Sequence, residues 1–267
     1  MEIAFRIFLF LIGACIGSFL CCQARRLHYN LSHKHKLTAA RSICLHCKKP
    51  LKWYDNLPII SWLFLRGKCR HCHHKIGFTE FLAELGTAIS FPLLSTTTNL
   101  IGATPLEWSI FVSILVLTSF LIFLAIYDGL YGDLPSIFLY VSIVCGFMTA
   151  SLKIWLALSI SPFKPEFIIN PLLSVLILGG LYLLLYLLSK GRWVGDGDWL
   201  LATAIGLALG QPILALITLF LTNFTACLIM LPTVKGNTKA KIHLGPFLVL
   251  AFIITYSFSP IFISLML

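Results

Sequence analysis

The chain has 267 residues, of which 58% are hydrophobic and only 11% charged, and its mean hydropathy is +0.93. That balance excludes an ordinary soluble domain and points to an all-α polytopic membrane protein. The formal net charge of +10 invites a nucleic-acid reading, yet twelve of the twenty Lys and Arg lie between Arg25 and Lys75, and most others fall in short gaps between apolar runs. A positive-inside bias explains this distribution without a nucleic-acid partner.

Ile7 to Ala24 is apolar and long enough, with its flanks, to span a bilayer. No A-x-A-like cleavage site follows, and Arg25-Arg26 sit on its C-terminal side. Residues 1–24 therefore read as a retained first helix, with its N-terminus outside. From Arg25 to about Thr79 the chain turns basic and hydrophilic and carries seven of the eight histidines. Residues 25–79 read as a small cytoplasmic insert, and 80–267 as a transmembrane core.

Further apolar runs cover roughly 81–95, 107–127, 134–150, 171–189, 199–209, 212–231 and 246–265. Counting all eight as crossings alternates the gaps across the membrane. Those at 128–133, 190–198 and 233–243 fall inside, with Lys190, Arg192, Lys235, Lys239 and Lys241. Arg6, Lys153 and Lys164 dissent. The run at Trp199 is too short to cross alone, and Gly210-Gln211-Pro212 breaks it from the next.

Nine cysteines include two C-x-x-C pairs, Cys44/Cys47 and Cys69/Cys72, separated by 21 residues. Two such knuckles aim four thiolates at one point, which reads as a closed, structural Zn2+ site of zinc-ribbon type. A domain of this size with few core residues needs such a staple. A catalytic zinc using His46, His71, His73 or His74 is the rival, but no H-E-x-x-H or H-x-E pattern accompanies it. Cys15, Cys21, Cys22, Cys145 and Cys227 lie in or beside apolar runs and read as small buried hydrophobes.

Gly195-Asp196-Gly197-Asp198 lies between two apolar runs, and Asp128 ends another. Carboxylates at a membrane boundary are costly and mark functional candidates. The crossing count puts Asp128 and Asp198 on one face. Two carboxylates held close share a proton, so one serves as base and the other as acid. Helix capping explains the same spacing equally well. Asp133 and Asp196 read as solvated turn residues.

Several segments, in order and at spacing, resemble the type IV prepilin peptidases, the bacterial branch of the GxGD membrane aspartic proteases. Gly17-Ser18-Phe19-Leu20 and Arg26-Leu27 resemble the family's first-helix motif. Arg41-Ser42-x-Cys44, Trp53 through Trp62, and Leu65-Arg66-Gly67-Lys68-Cys69 resemble its zinc-binding insert. Glu84 falls where the family has a glutamate entering the second helix. Asp128 with Leu134-Pro135 and Gly195-x-Gly197-Asp198 are similar to the two catalytic motifs, and Gly245-Pro246-Phe247 to the opening of the last helix. The resemblance implies that Asp128 and Asp198 form a catalytic dyad. It implies removal of leader peptides from type IV pilin or pseudopilin precursors, as in pilus assembly and type II secretion. It also implies N-methylation of the new terminus with S-adenosyl-L-methionine. The enzyme would be multi-pass in the lipids of the bacterial inner membrane, its active site facing the cytoplasm. Departures from the family pattern stand at Leu200 (usually Lys), Ser136 (usually acidic or amide) and Cys21 (usually Asn).

Overall fold

The computed structural model describes residues 2–32, 44, 46–47, 49–97, 102–230 and 243–265. Arg41 and Ser42 of the insert motif, and Lys235, Lys239 and Lys241 of the last inner gap, lie outside the described residues. The chain forms two compact units, Met1–Pro92 and Leu93–Leu267. The described residues are mainly helical and contain no β-strand, only an isolated antiparallel bridge between Lys68 and Lys75.

The first unit contains α1 (Glu2–Ser32), the cysteine-bearing insert with the short α2 (Ile60–Phe64), and the start of α3 (Phe78–Leu94). Two small residues let α1 and α3 touch backbone to backbone. A Cβ on Gly13 would lie 2.6 Å from the Thr87 carbonyl oxygen, and one on Gly17 would lie 2.7 Å from that of Ala83. Spaced one turn apart, these glycines form the small-residue stripe by which membrane helices approach closely.

The second unit contains α4 (Pro105–Tyr131), α5 (Ser136–Ile160), α6 (Glu166–Val175), α7 (Leu181–Ser189), α8 (Asp198–Leu209), α9 (Pro212–Met230), α10 (Gly245–Ser257) and α11 (Ser259–Ser264). A π-helical turn, Leu176–Gly180, joins α6 to α7. Thr104 and Glu107 close a reciprocal capping box at the start of α4, and Gly132 ends that helix in the left-handed conformation at φ 69°.

Among the described residues, five helical segments are long and apolar enough to cross a membrane: Glu2–Leu31, Pro105–Tyr131, Ser136–Ile160, Glu166–Ser189 and Pro212–Ile229. The other three expected crossings form shorter helices, α3, α8 and α10. The 12 residues of α8 rise only about 18 Å, against a hydrocarbon core of about 30 Å.

Such a helix must end inside its own protein, and α8 is apolar on every side. Leu201, Ala202, Ala204, Ile205 and Ala208 are all fully buried. Neighbouring backbones come close: a Cβ on Gly206 would lie 2.9 Å from the Ser174 carbonyl oxygen, and one on Gly146 would lie 2.6 Å from that of Ala204. The C-terminal carbonyls of a buried helix also need donors. Lys153 of α5 supplies one, its Nζ donating to the Ala208 carbonyl at 2.6 Å and lying 4.6 Å from the centre of the Tyr256 ring. The lysine that dissents from the charge rule therefore stabilises a helix end. The lone cysteines are less buried than expected: Cys21 is buried, but Cys15 and Cys227 are exposed on the surfaces of apolar helices.

Candidate active site and metal centre

The insert brings its two knuckles together. The Sγ atoms of Cys44, Cys47, Cys69 and Cys72 all lie within 4.8 Å of one another, with Cys44 and Cys72 at 3.9 Å. Four sulfurs about 2.3 Å from a central ion in a tetrahedron would sit about 3.8 Å apart, so the set fits zinc. The second knuckle is shaped by backbone bonds: Cys69 N–H donates to the His74 carbonyl, and His73 N–H to that of Cys69. The amides of Cys72 and His71 also donate to the Cys69 sulfur and draw its thiol down to about 7. At Cys72 the His74 amide pulls the same way but loses to desolvation and the neighbouring thiols, which push it up to about 11. A divalent cation offsets that mutual repulsion. Among the described residues no histidine joins the metal-capable cluster, and His46 and His74 instead stack on each other at 4.3 Å. Four thiolates with no fifth donor form a closed set, which argues against the catalytic-zinc alternative.

An ion pair ties the insert together. Arg70 Nε donates to Asp55 Oδ1 at 2.7 Å, while Asp55 Oδ2 accepts the Lys52 N–H at 3.2 Å. Glu84 of α3 is buried, and its Oε2 accepts the Ile59 N–H at 2.6 Å.

In the second unit, the two aspartates come from opposite kinds of helix end. Asp128 occupies the last turn of α4 and Asp198 the first residue of α8, and both are buried. Asp128 Oδ2 accepts the Gly245 N–H at 3.0 Å, at the start of α10. Asp198 Oδ2 accepts the Gly195 N–H at 2.9 Å. The two carboxylates are close enough for the Asp128 charge to act on Asp198. Asp128 thus satisfies the first amide of α10, as the capping reading expects, without capping its own helix. Asp128 stands at the wrong end of its helix, and Asp198 reaches back to the loop, with Gly197 as the N-cap.

The glycines of this motif have separate jobs. Gly195 donates the N–H just described. A Cβ on Gly197 would lie 2.7 Å from Leu134, so only glycine lets this loop rest against the start of α5. Asp133 and Asp196 are exposed, with Asp133 Oδ1 accepting the Leu134 N–H and Asp196 Oδ1 the indole N–H of Trp199.

Two neighbours escaped sequence reading. Tyr182 is buried, accepts a hydrogen bond from Asn223 Nδ2 at 3.3 Å and lies within electrostatic range of Asp198. His243 lies against Gly132 and within electrostatic range of Asp128. Its one sequence signal is that it is the sole histidine outside the insert, two residues before Gly245.

Residues 11–98 match the model of the bacterial peptidase A24 N-terminal domain. The prepilin leader peptidase/N-methyltransferase of Klebsiella pneumoniae is 31% identical over 209 residues, covering 76% of this chain and 84% of that protein. The chain belongs to the prepilin leader peptidase/N-methyltransferase family. Family proteins of the same name align over nearly the whole length. That of Vibrio cholerae is 26% identical over 261 residues, covering 96% of this chain and 98% of the relative. That of Aeromonas hydrophila is 29% identical over 264 residues, covering 91% and 87%. No solved structure matches the chain. The resemblance drawn from the motifs is thus confirmed at the level of the family.

Proposed function

We propose that this protein is a membrane aspartic endopeptidase that removes the leader peptide of type IV pilin or pseudopilin precursors at the cytoplasmic face. The observation that carries this reading is that Asp128 and Asp198, two buried carboxylates from helices far apart in the chain, lie within electrostatic range of each other, each held through one oxygen by a glycine N–H. That hold leaves the second oxygen of each for reaction.

One carboxyl is ionised and the other neutral, because like charges at close range oppose double ionisation. Water gives a proton to the carboxylate as its oxygen bonds to the scissile carbonyl carbon, and the neutral carboxyl passes its proton to the carbonyl oxygen. Collapse of the tetrahedral intermediate breaks the C–N bond. The leaving nitrogen takes a proton from the dyad, and the gem-diol returns one to it, restoring the starting state.

The eight-crossing topology places this dyad, the insert and the basic leader of the substrate on the inner side of the bacterial inner membrane. Support comes from Lys190 and Arg192 in the gap before Asp198 and from the twelve Lys and Arg between Arg25 and Lys75. Zinc held by Cys44, Cys47, Cys69 and Cys72 staples the insert. The relatives' names further support N-methylation of the new terminus, for which S-adenosyl-L-methionine, when bound, supplies an electrophilic methyl group.

Co-expression with a tagged precursor, followed by intact mass measurement of the product, tests the reading. The expected product lacks the leader and carries one added methyl group. A precursor of unchanged mass would overturn it.

A further inference from the structure

His243 takes no part in the proton transfers of the dyad, yet it is built into the same corner of the second unit. It stands two residues before Gly245, whose N–H holds Asp128 Oδ2. A Cβ on Gly132 would lie 2.7 Å from His243 Nε2, so the bare α-carbon of that glycine makes room for the ring. Gly132 in turn donates its N–H to the Asp128 carbonyl at 2.8 Å. The imidazole therefore rests on the turn that closes α4, and from that seat its charge reaches Asp128.

Asp128 needs such a neighbour more than Asp198 does. A carboxylate in the last turn of a helix faces the negative end of the helix dipole, whereas one in the first turn faces the positive end. Asp128 closes α4 and Asp198 opens α8, so their own helices would settle a shared negative charge on Asp198. Two groups oppose that bias at Asp128: the first amide of α10 and the imidazole of His243.

The other titratable groups on the elements that meet here are Tyr127 and Tyr131 of α4, Asp133 of the loop to α5, and Asp198. Neither α9 nor α10 carries a charged residue. Asp133 is exposed, with Oδ1 bonded to the Leu134 N–H, and its negative charge works against an anion at Asp128. Of all these groups only His243 can bring positive charge to Asp128.

We propose that His243 is a positioning residue that keeps the negative charge of the dyad on Asp128, an inference that rests on the dyad mechanism above. Asp128 is then the base, taking a proton from water as the water oxygen bonds to the scissile carbonyl carbon. Asp198 is the acid, passing its proton to the carbonyl oxygen. Without the imidazole charge the shared proton moves toward Asp128, and fewer molecules hold a base in place.

The pH dependence of kcat/KM for leader removal by the full-length, zinc-loaded enzyme tests this. The acid limb reports ionisation of the pair in the free enzyme, and at that end of the range an imidazole is positively charged. His243→Gln keeps polar bulk against Gly132 and removes the charge. The limb should move upward by about one pH unit, so that kcat/KM below it falls about tenfold. His243→Lys restores a cation and should return the limb to its original place, an outcome that space-filling alone does not produce. Melting temperature and zinc content report folding, and His243→Asn repeats the measurement if the glutamine variant does not accumulate. An acid limb that stays in place in a folded neutral variant would overturn the positioning role and leave the dyad intact. A limb moved equally by glutamine and lysine would also overturn it, since charge would not be the cause. Full cleavage by folded Asp128→Asn would overturn the dyad and this role together.

Discussion

The Gly245 N–H meets Asp128 Oδ2 at 3.0 Å, joining residues 117 positions apart in the chain. A side chain here would push that carboxylate aside, since a Cβ on Gly245 would lie 2.8 Å from the same oxygen. The first amide of α10 therefore orients the carboxylate that ends α4.

Gly245→Ala should displace the Asp128 carboxylate. We expect leader removal to slow at least tenfold, because small misplacements of reacting groups are expensive. The melting temperature should fall by an amount matching about 1–3 kcal/mol of overpacking. A steady-state cleavage assay together with a melting curve in detergent checks both.

Cys44→Ser should abolish bound zinc and leave the insert open to proteolysis, since three thiolates no longer close a tetrahedral site. Metal analysis of the purified protein reads this out. Unchanged zinc stoichiometry would reject the four-cysteine centre.

Lys153→Met should destabilise the second unit by about 1–3 kcal/mol, the scale of a lost hydrogen bond to a charged donor. The ammonium now serves the buried C-terminus of α8, whose first residue is Asp198. Thermal unfolding checks the loss. A melting temperature equal to that of the unaltered protein would show that the Ala208 carbonyl needs no such partner.

Gly17→Leu should separate α1 from α3, because the added side chain would meet the Ala83 carbonyl and the Thr87 hydroxyl at once. Reduced accumulation in the membrane and a lower melting temperature are the expected signs, measured beside the milder Gly17→Ala.

Features carried by local spacing were legible in the sequence. The paired C-x-x-C knuckles declared a metal-capable cluster, because each turn presents its own two sulfurs and only the meeting of the pairs had to be inferred. Long apolar runs declared the membrane helices. What stayed hidden was pairing over distance. Nothing near Lys153 announces that its ammonium will serve a carbonyl 55 residues away, so positive-inside counting left it as a dissenter. Tyr182 reads as one more apolar aromatic in a leucine-rich run until folding places it near Asp198. Hydropathy also does not distinguish a long spanning helix from a short buried one: α8 has an apolar run like the others, yet holds only 12 residues, most of them buried.

The central claim is that Asp128 and Asp198 act as one catalytic pair. The most direct measurement is leader removal from a pilin-like precursor by Asp128→Asn and Asp198→Asn, each purified with normal zinc content and a normal melting curve. The pair mechanism predicts that neither variant cleaves, because amides can neither share nor transfer the proton. Full processing by either folded variant would contradict it.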